Sequence, residues 1–318
     1  MGGGIWSTSA YEAARRQRRK RGRADFQYTE DVRQGRARTV HPDLDPARVA
    51  GPASPLAGRP VREARDSAEH PSSLPVAVIF DVTGSMGGIP RVMQTKLPSL
   101  LDVLIDKAKI DDPQILVGAV GDAKCDRFPL QVGQFESDNR FDEQLRNIIL
   151  EGGGGGQVYE SYGLAWRFAA DHTATDAWDK RRKRGYFFTM GDEAAWPTVT
   201  REEVQRLFGV GAERDESLSS LLERSRERWD VFHLCAMDGS YPHNQTIHGA
   251  WSKLLGDRYV KVASSAFICE VIAGIVHMLE SGLSAKATIR SMGLKGKAAA
   301  TVAGALATIA PTPTARVG

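Results

Sequence analysis

Asp81, Thr83 and Ser85 set three oxygen-bearing side chains at i, i+2 and i+4 within Asp81-Val82-Thr83-Gly84-Ser85-Met86. A carboxylate and two hydroxyls at this spacing, in a turn that contains glycine, can converge on one hard divalent cation such as magnesium or manganese, which takes oxygen ligands. Such chemistry needs a turn held firmly in place. Pro75-Val76-Ala77-Val78-Ile79-Phe80, just before it, is a short apolar run rich in β-branched residues, the pattern of a strand buried on both faces of a parallel sheet. From Ile89 the pattern becomes helical. A turn from the carboxyl end of a parallel strand into a helix is where open α/β sheets place their ligands.

Asp-x-Thr/Ser-x-Ser after a hydrophobic strand resembles the opening of the metal-ion-dependent adhesion site of von Willebrand factor A domains, and residues 81–86 match it closely. The resemblance extends over residues 75 to about 280. It implies that Thr83 and Ser85 ligate the cation directly while Asp81 acts largely through metal-bound water. It also implies a second acid after the fourth strand, where Thr189-Met190-Gly191-Asp192 offers Asp192. The family's middle ligand is a threonine in a Gly-Gly-Thr turn, and here the chain departs from type. The five glycines at 152–156 lead into Gln157-Val158-Tyr159-Glu160-Ser161, with no threonine. Either Ser161 or Gln157 supplies a neutral oxygen, or Glu160 supplies a charged one. A carboxylate there would hold the cation more firmly and weaken its pull on an acidic partner. The implied function is a metal-dependent protein-binding module in which the bound ion, Mg2+ or Mn2+, accepts an Asp or Glu from a protein ligand.

The elements that must position these residues alternate. Strands are expected at 114–120, 130–135, 185–190, 229–235 and 258–262, the second and last of these at edges. Helices are expected at 91–109, broken by Pro98, and at 141–150, 160–172, 217–228, 244–255 and 266–280. Thr200-Arg201-Glu202-Glu203 has the form of a capping box and should open a helix through Phe208. The alternation implies an α/β fold, doubly wound, with a mostly parallel sheet flanked by helices. Asp122, Asp126 and Glu193 read as surface acids.

The 318 residues carry a formal charge of only +3, but that figure hides a segregation. Arg15, Arg16, Arg18, Arg19, Lys20, Arg21 and Arg23 place seven positive charges in nine residues without an acid, so the rest of the chain is net acidic. Residues 1–74 read as a basic, proline-rich extended arm, 75–282 as the domain, and 283–318 as a weakly ordered Ala/Thr-rich tail. Clustered arginine on a mobile arm would attract phosphate in a salt-dependent way, so a nucleic-acid-associated scaffold is the rival reading. Lys180, Arg181, Arg182, Lys183 and Arg184 precede the fourth strand whereas Asp192 follows it, which implies a basic rim and an acidic rim roughly 20 Å apart. A phosphohydrolase using Asp81 as nucleophile is disfavoured, because Thr83 stands where a second acid would protonate the leaving group. Cys125, Cys235 and Cys269 have neither zinc nor redox spacing and read as reduced thiols, no signal peptide is evident, and no run is long enough to span a membrane. A cytoplasmic location follows as an expectation.

Overall fold

Six strands form the central sheet: β1 (Leu74–Asp81), β2 (Pro113–Val120), β3 (Leu130–Val132), β4 (Gly185–Gly191), β5 (Trp229–Ala236) and β6 (Tyr259–Val262). Their spatial order is β6-β5-β4-β1-β2-β3, every neighbouring pair being parallel except β2 with β3. The computed structural model describes residues 7–20, 26–51, 57–59, 61–209 and 211–310. Every residue of β1, β2 and β4 is buried, as the unbroken apolar runs require of strands covered on both faces.

Strand alternation divides the interior into two cores. Val76, Val78 and Phe80 of β1 face one core, and Ala77 and Ile79 face the other. The first core is closed by α3 (Ile89–Lys96) and by helical residues 97–107, which run through a 3-10 turn, one α turn and a π segment. Pro98 lies in the 3-10 turn, where the break was expected. α4 (Arg140–Arg146) packs on the same side. The second core is closed by α5 (Tyr162–Asp171), α7 (Arg201–Phe208), α8 (Leu218–Arg226) and α9 (Gln245–Leu255), α6 (Asp176–Arg181) being a short helix ahead of β4. The capping box of α7 is present in both directions, Thr200 with Glu203. The architecture is the expected α/β sandwich with a mostly parallel sheet.

Two expectations are corrected. Residues 283–318 are not a weakly ordered tail throughout, since after α10 (Ile268–Ser281) they form α11 (Ala285–Ser291) and α12 (Gly296–Leu306). Val302, Ala305 and Leu306 of α12 are buried in the first core, and a methyl on Gly274 of α10 would come within 3.0 Å of Val302. Small residues do here what bulky ones do elsewhere: they let two helices approach closely enough to exclude water. Residues 311–318 lie outside the described residues.

Nor is the amino-terminal region a free arm. Helices α1 (Thr8–Lys20) and α2 (Gln27–Arg33) bring Tyr11 and Phe26 into the first core, and Leu44 joins them. Ser7 and Asn139 exchange two hydrogen bonds, of 2.9 and 3.0 Å. Arg62–Ala64 pairs in parallel with Thr173–Thr175. Arg62, fully buried, donates to the carbonyls of Asp45, Arg48, Val132 and Gly133. Among the described residues no single helix is long and apolar enough to cross a membrane, and Cys125, Cys235 and Cys269 are free thiols, the last two buried.

Candidate metal centre

The chain runs from β1 to β2 and β3 on one side and from β4 to β5 and β6 on the other, so the order reverses between the neighbours β1 and β4, and this is the point of an open sheet where loops part to leave a crevice. Phe80 pairs with Met190 across β1 and β4. Asp81 and Asp192 therefore leave the sheet within one residue of the same height. Asp81 is fully buried, its Oδ1 accepting from the Thr83 backbone N–H at 2.8 Å and the Thr83 hydroxyl at 2.6 Å, its Oδ2 from the Tyr162 hydroxyl at 3.1 Å. The hydroxyls of Thr83 and Ser85 are 3.3 Å apart, and Ser85 donates to Asp192 Oδ1 at 2.9 Å. Asp192 Oδ2 accepts the Ser240 N–H at 2.5 Å, and the Ser240 hydroxyl donates to the Ser85 carbonyl at 2.5 Å. The four residues from the two strand ends thus form one bonded chain of oxygens.

The glycine loop docks on this turn through its backbone. Gly84 N–H donates to Gly153 O at 2.7 Å and Gly152 N–H to Val82 O at 3.1 Å. A Cβ on Gly84 would lie 2.9 Å from that same Gly153 oxygen, and Gly152 has φ +62°, so both positions need glycine.

Of the three alternatives for the middle donor, the structure brings one to the acids. Gln157 Nε2 donates to Asp122 Oδ2 at 2.6 Å, and the Ser161 hydroxyl accepts the Ala123 N–H at 2.9 Å and lies 3.5 Å from Asp122 Oδ1. Both are engaged by Asp122. Glu160 is buried beside Asp81 and Glu193, and one carboxylate oxygen from each of these three lies within 4.8 Å of the others. Glu160 and Glu193 hydrogen-bond to each other, yet Glu160 Oε2 is buried with no hydrogen-bond partner.

Glu193 and Asp122 were missed as surface acids; both are buried. Asp122 accepts from the Trp196 indole at 2.9 Å and the Lys124 N–H at 3.0 Å besides Gln157, and so ties the glycine loop to the loops after β2 and β4. Glu193 follows Asp192 directly, and only its position two residues past a strand end hinted at a role.

Burial dominates the electrostatics. It pushes Asp81 up to about 8 against the opposing Thr83 hydrogen bonds, with the charges of Asp192 and Glu193 adding to the rise. Burial first, and then the Asp81 charge, raises Glu160 far above the carboxylate range. Burial also raises Glu193 and Asp192. Crowded acids of this kind hold protons unless a cation replaces them. The donor set fits a hard divalent ion: carboxylates and hydroxyls only, no imidazole or thiolate among them, and one buried carboxylate oxygen with nothing to accept from.

The basic residues fare differently. Arg18 pairs with Asp142 of α4 at 2.8 Å in a largely buried bridge, and Arg16 pairs with Glu12 on its own helix. Lys20 is exposed. Arg21 and Arg23 lie outside the described residues, as do the side chains of Arg15 and Arg19. In the second cluster, Lys180 and Arg181 bind Asp66, Lys183 binds Glu280, and Arg182 lies over the Trp178 ring. The expected basic rim is therefore interlocked with acids, Arg184 standing next to β4 at that end of the sheet.

No family model and no curated protein matches the chain. Solved structures do align with it. Proximal thread matrix protein 1 from the mussel byssus is 12% identical with a TM-score of 0.41, over 65% of this chain and 46% of that one. The pilus adhesin SpaC from Lactobacillus rhamnosus GG, in its open conformation, is 7% identical with a TM-score of 0.46, over 73% of this chain and 31% of that one. A von Willebrand factor type A protein from Catenulispora acidiphila is 16% identical with a TM-score of 0.38, over 70% and 44%. The chain thus spans less than half the length of each of these proteins. One structure of the mussel protein is described as having a zinc-occupied MIDAS motif.

Proposed function

We propose that the protein is a metal-dependent interaction module of the von Willebrand factor A type, acting in the cytoplasm. The observation that carries the reading is the convergence of Asp81, Thr83, Ser85 and Asp192 with Glu160 and Glu193 at the carboxyl rim of the sheet. Thr83, Ser85 and Glu160 would hold the cation, with Asp81, Asp192 and Glu193 facing it directly or through water. When bound, a magnesium or manganese ion supplies a positive centre to which a partner's Asp or Glu can coordinate. The chain's own residues set how strongly. Glu160 and Glu193 make the centre more negative than neutral hydroxyls would, so the ion is held firmly and a partner's carboxylate competes with Glu193 for the same charge. The reading is therefore of a retained ion and an exchangeable acidic partner.

Calorimetry with MgCl2 and MnCl2 on the full chain and on Asp81→Asn tests the metal half, with uptake expected only in the parent. A pull-down from native lysate in Mg2+ and in EDTA, repeated with Asp81→Asn, tests the partner half. Partners indifferent to chelator and to the substitution would end the proposal. A nucleic-acid role for the basic cluster at 15–23 is the second reading, and Arg18 speaks against it through its bridge to Asp142.

A further inference from the structure

Beside the acidic rim, α8 and α9 leave a groove of about 800 Å3 between them, with Tyr159, Trp196, Leu218, Leu222, Trp251 and Leu254 among its lining residues. Tyr159 and Trp196 stack at 4.9 Å, giving it an aromatic wall, and Leu254 on α9 is only half-buried. Around this apolar lining the charges are unequal. Arg226 and Lys253 belong to the groove and Lys124 lies over the Trp196 ring at 4.4 Å, against Glu223 in the lining and the buried Asp122 that accepts from the same Trp196 indole. An apolar cleft ringed by cations suits a segment that carries both a bulky apolar side chain and acids; a basic or purely polar segment would gain neither contact.

The groove is also continuous with the candidate metal centre. Tyr159–Glu160 pairs in parallel with Ala194–Ala195, so Tyr159 and Ala195, which line the groove, stand one residue from Glu160 and two from Glu193 along the chain. The Trp251 indole donates to the Glu193 carbonyl at 2.9 Å and the Trp196 indole to Asp122 at 2.9 Å. A chain seated in the groove would run onto the acidic rim without a gap.

We infer that the groove is the docking site for an acidic amphipathic peptide segment of a partner protein. A large aliphatic or aromatic side chain enters between α8 and α9, and flanking Asp or Glu residues meet Lys124, Arg226 and Lys253. The metal centre takes one further carboxylate of the same segment. This last step rests on the function proposed above, whereas the groove contacts do not.

The test is selection of a random peptide display library on the full chain in Mg2+, followed by titration of the enriched peptides. Selected peptides are expected to combine Leu, Phe or Trp with nearby Asp or Glu. Leu254→Ala and the exposed Lys253→Glu should each weaken them about tenfold or more; Leu254 also packs on the second core, so Lys253→Glu is the variant expected to leave melting temperature and magnesium uptake unchanged. EDTA or Asp81→Asn should weaken the peptides separately. Loss with the groove variants but indifference to EDTA would keep the groove and remove the metal-centred reading; the converse would keep the metal centre and remove the groove. No enrichment, peptides without acids, or a groove-dependent self-association of the chain would overturn the proposal.

Discussion

Ser85 and Asp192, 107 residues apart in the chain, share a hydrogen bond of 2.9 Å across the carboxyl ends of β1 and β4. It joins the first turn to the loop after β4, and Ser240 braces the same junction from a third loop. Ser85→Ala removes a tie between two strand ends and a donor oxygen together. The expected outcome is a loss of about 1 kcal/mol in urea unfolding and a fall of tenfold or more in magnesium affinity by calorimetry. A variant that binds magnesium as the parent does would show that the Ser85 hydroxyl is a structural tie alone.

Glu160→Gln separates electrostatic strain from ligation. The buried carboxyl has one oxygen without a partner and lies beside Asp81 and Glu193, so ionising it without a cation is unfavourable. A neutral amide of the same shape relieves that conflict. In EDTA at pH 8 the variant should be more stable than the parent by roughly 1–3 kcal/mol, and the stabilisation that magnesium gives the parent should nearly vanish. Equal stability in EDTA would mean that Glu160 carries no strain.

The same crowding fixes a pH dependence. The folded chain holds the Asp81 proton up to about pH 8, whereas in the unfolded chain the group titrates near its ordinary 3.8. Between those values the folded state binds more protons, so without a divalent ion stability should fall as pH rises from about 4 to about 8. Glu160, raised further, acts in the same direction. Saturating magnesium should flatten this decline and release protons, giving a binding enthalpy that changes with the ionisation enthalpy of the buffer. Melting curves across that range, in EDTA and in magnesium, check the sign.

The sheet was legible because fully buried parallel strands leave unbroken apolar runs, and because Asp81 and Asp192 both stand at the ends of such runs. Choosing among Gln157, Glu160 and Ser161 was not, since all three carry oxygen and only the fold shows that Asp122 captures the first and third. Asp122 itself looked like any acid beyond a strand, and its worth lies in partners 35 and 74 residues away. α12 was missed for a different reason. Its buried face is built from Val302, Ala305 and Leu306, a helical spacing in a segment whose alanine content hid the periodicity. Ser284 as the N-cap of α11 and Gly282 in the left-handed conformation after α10 were the local signals available.

Asp122→Asn tests a positioning role. The side chain would keep its shape and one acceptor oxygen, but its amide would face the donors of Gln157 or Trp196. The glycine loop should loosen without losing a donor from the centre. Magnesium affinity is expected to fall about tenfold, with near-parental binding restored by Asp122→Glu only if the longer chain can still span the three loops. Amide exchange at 152–157 distinguishes this from direct ligation, because a loosened loop exchanges faster in EDTA as well.

Arg62 decides whether the amino-terminal region is part of the fold. Its guanidinium, buried enough that desolvation lowers it to about 10, donates to four carbonyls on both sides of a boundary, Asp45 and Arg48 on one and Val132 and Gly133 on the other. Replacing it by Met keeps most of the volume and leaves those carbonyls without their donor, so Arg62→Met should cost roughly 3 kcal/mol or more in urea unfolding. Arg62→Lys, a point charge without the planar fork, should fall between the two. The loss should appear in one cooperative transition that includes the sheet, because Leu44 and Phe26 sit in the same core as β1. An early, separate transition for the first 60 or so residues, with the sheet melting as before, would return that region to the status of an attached arm.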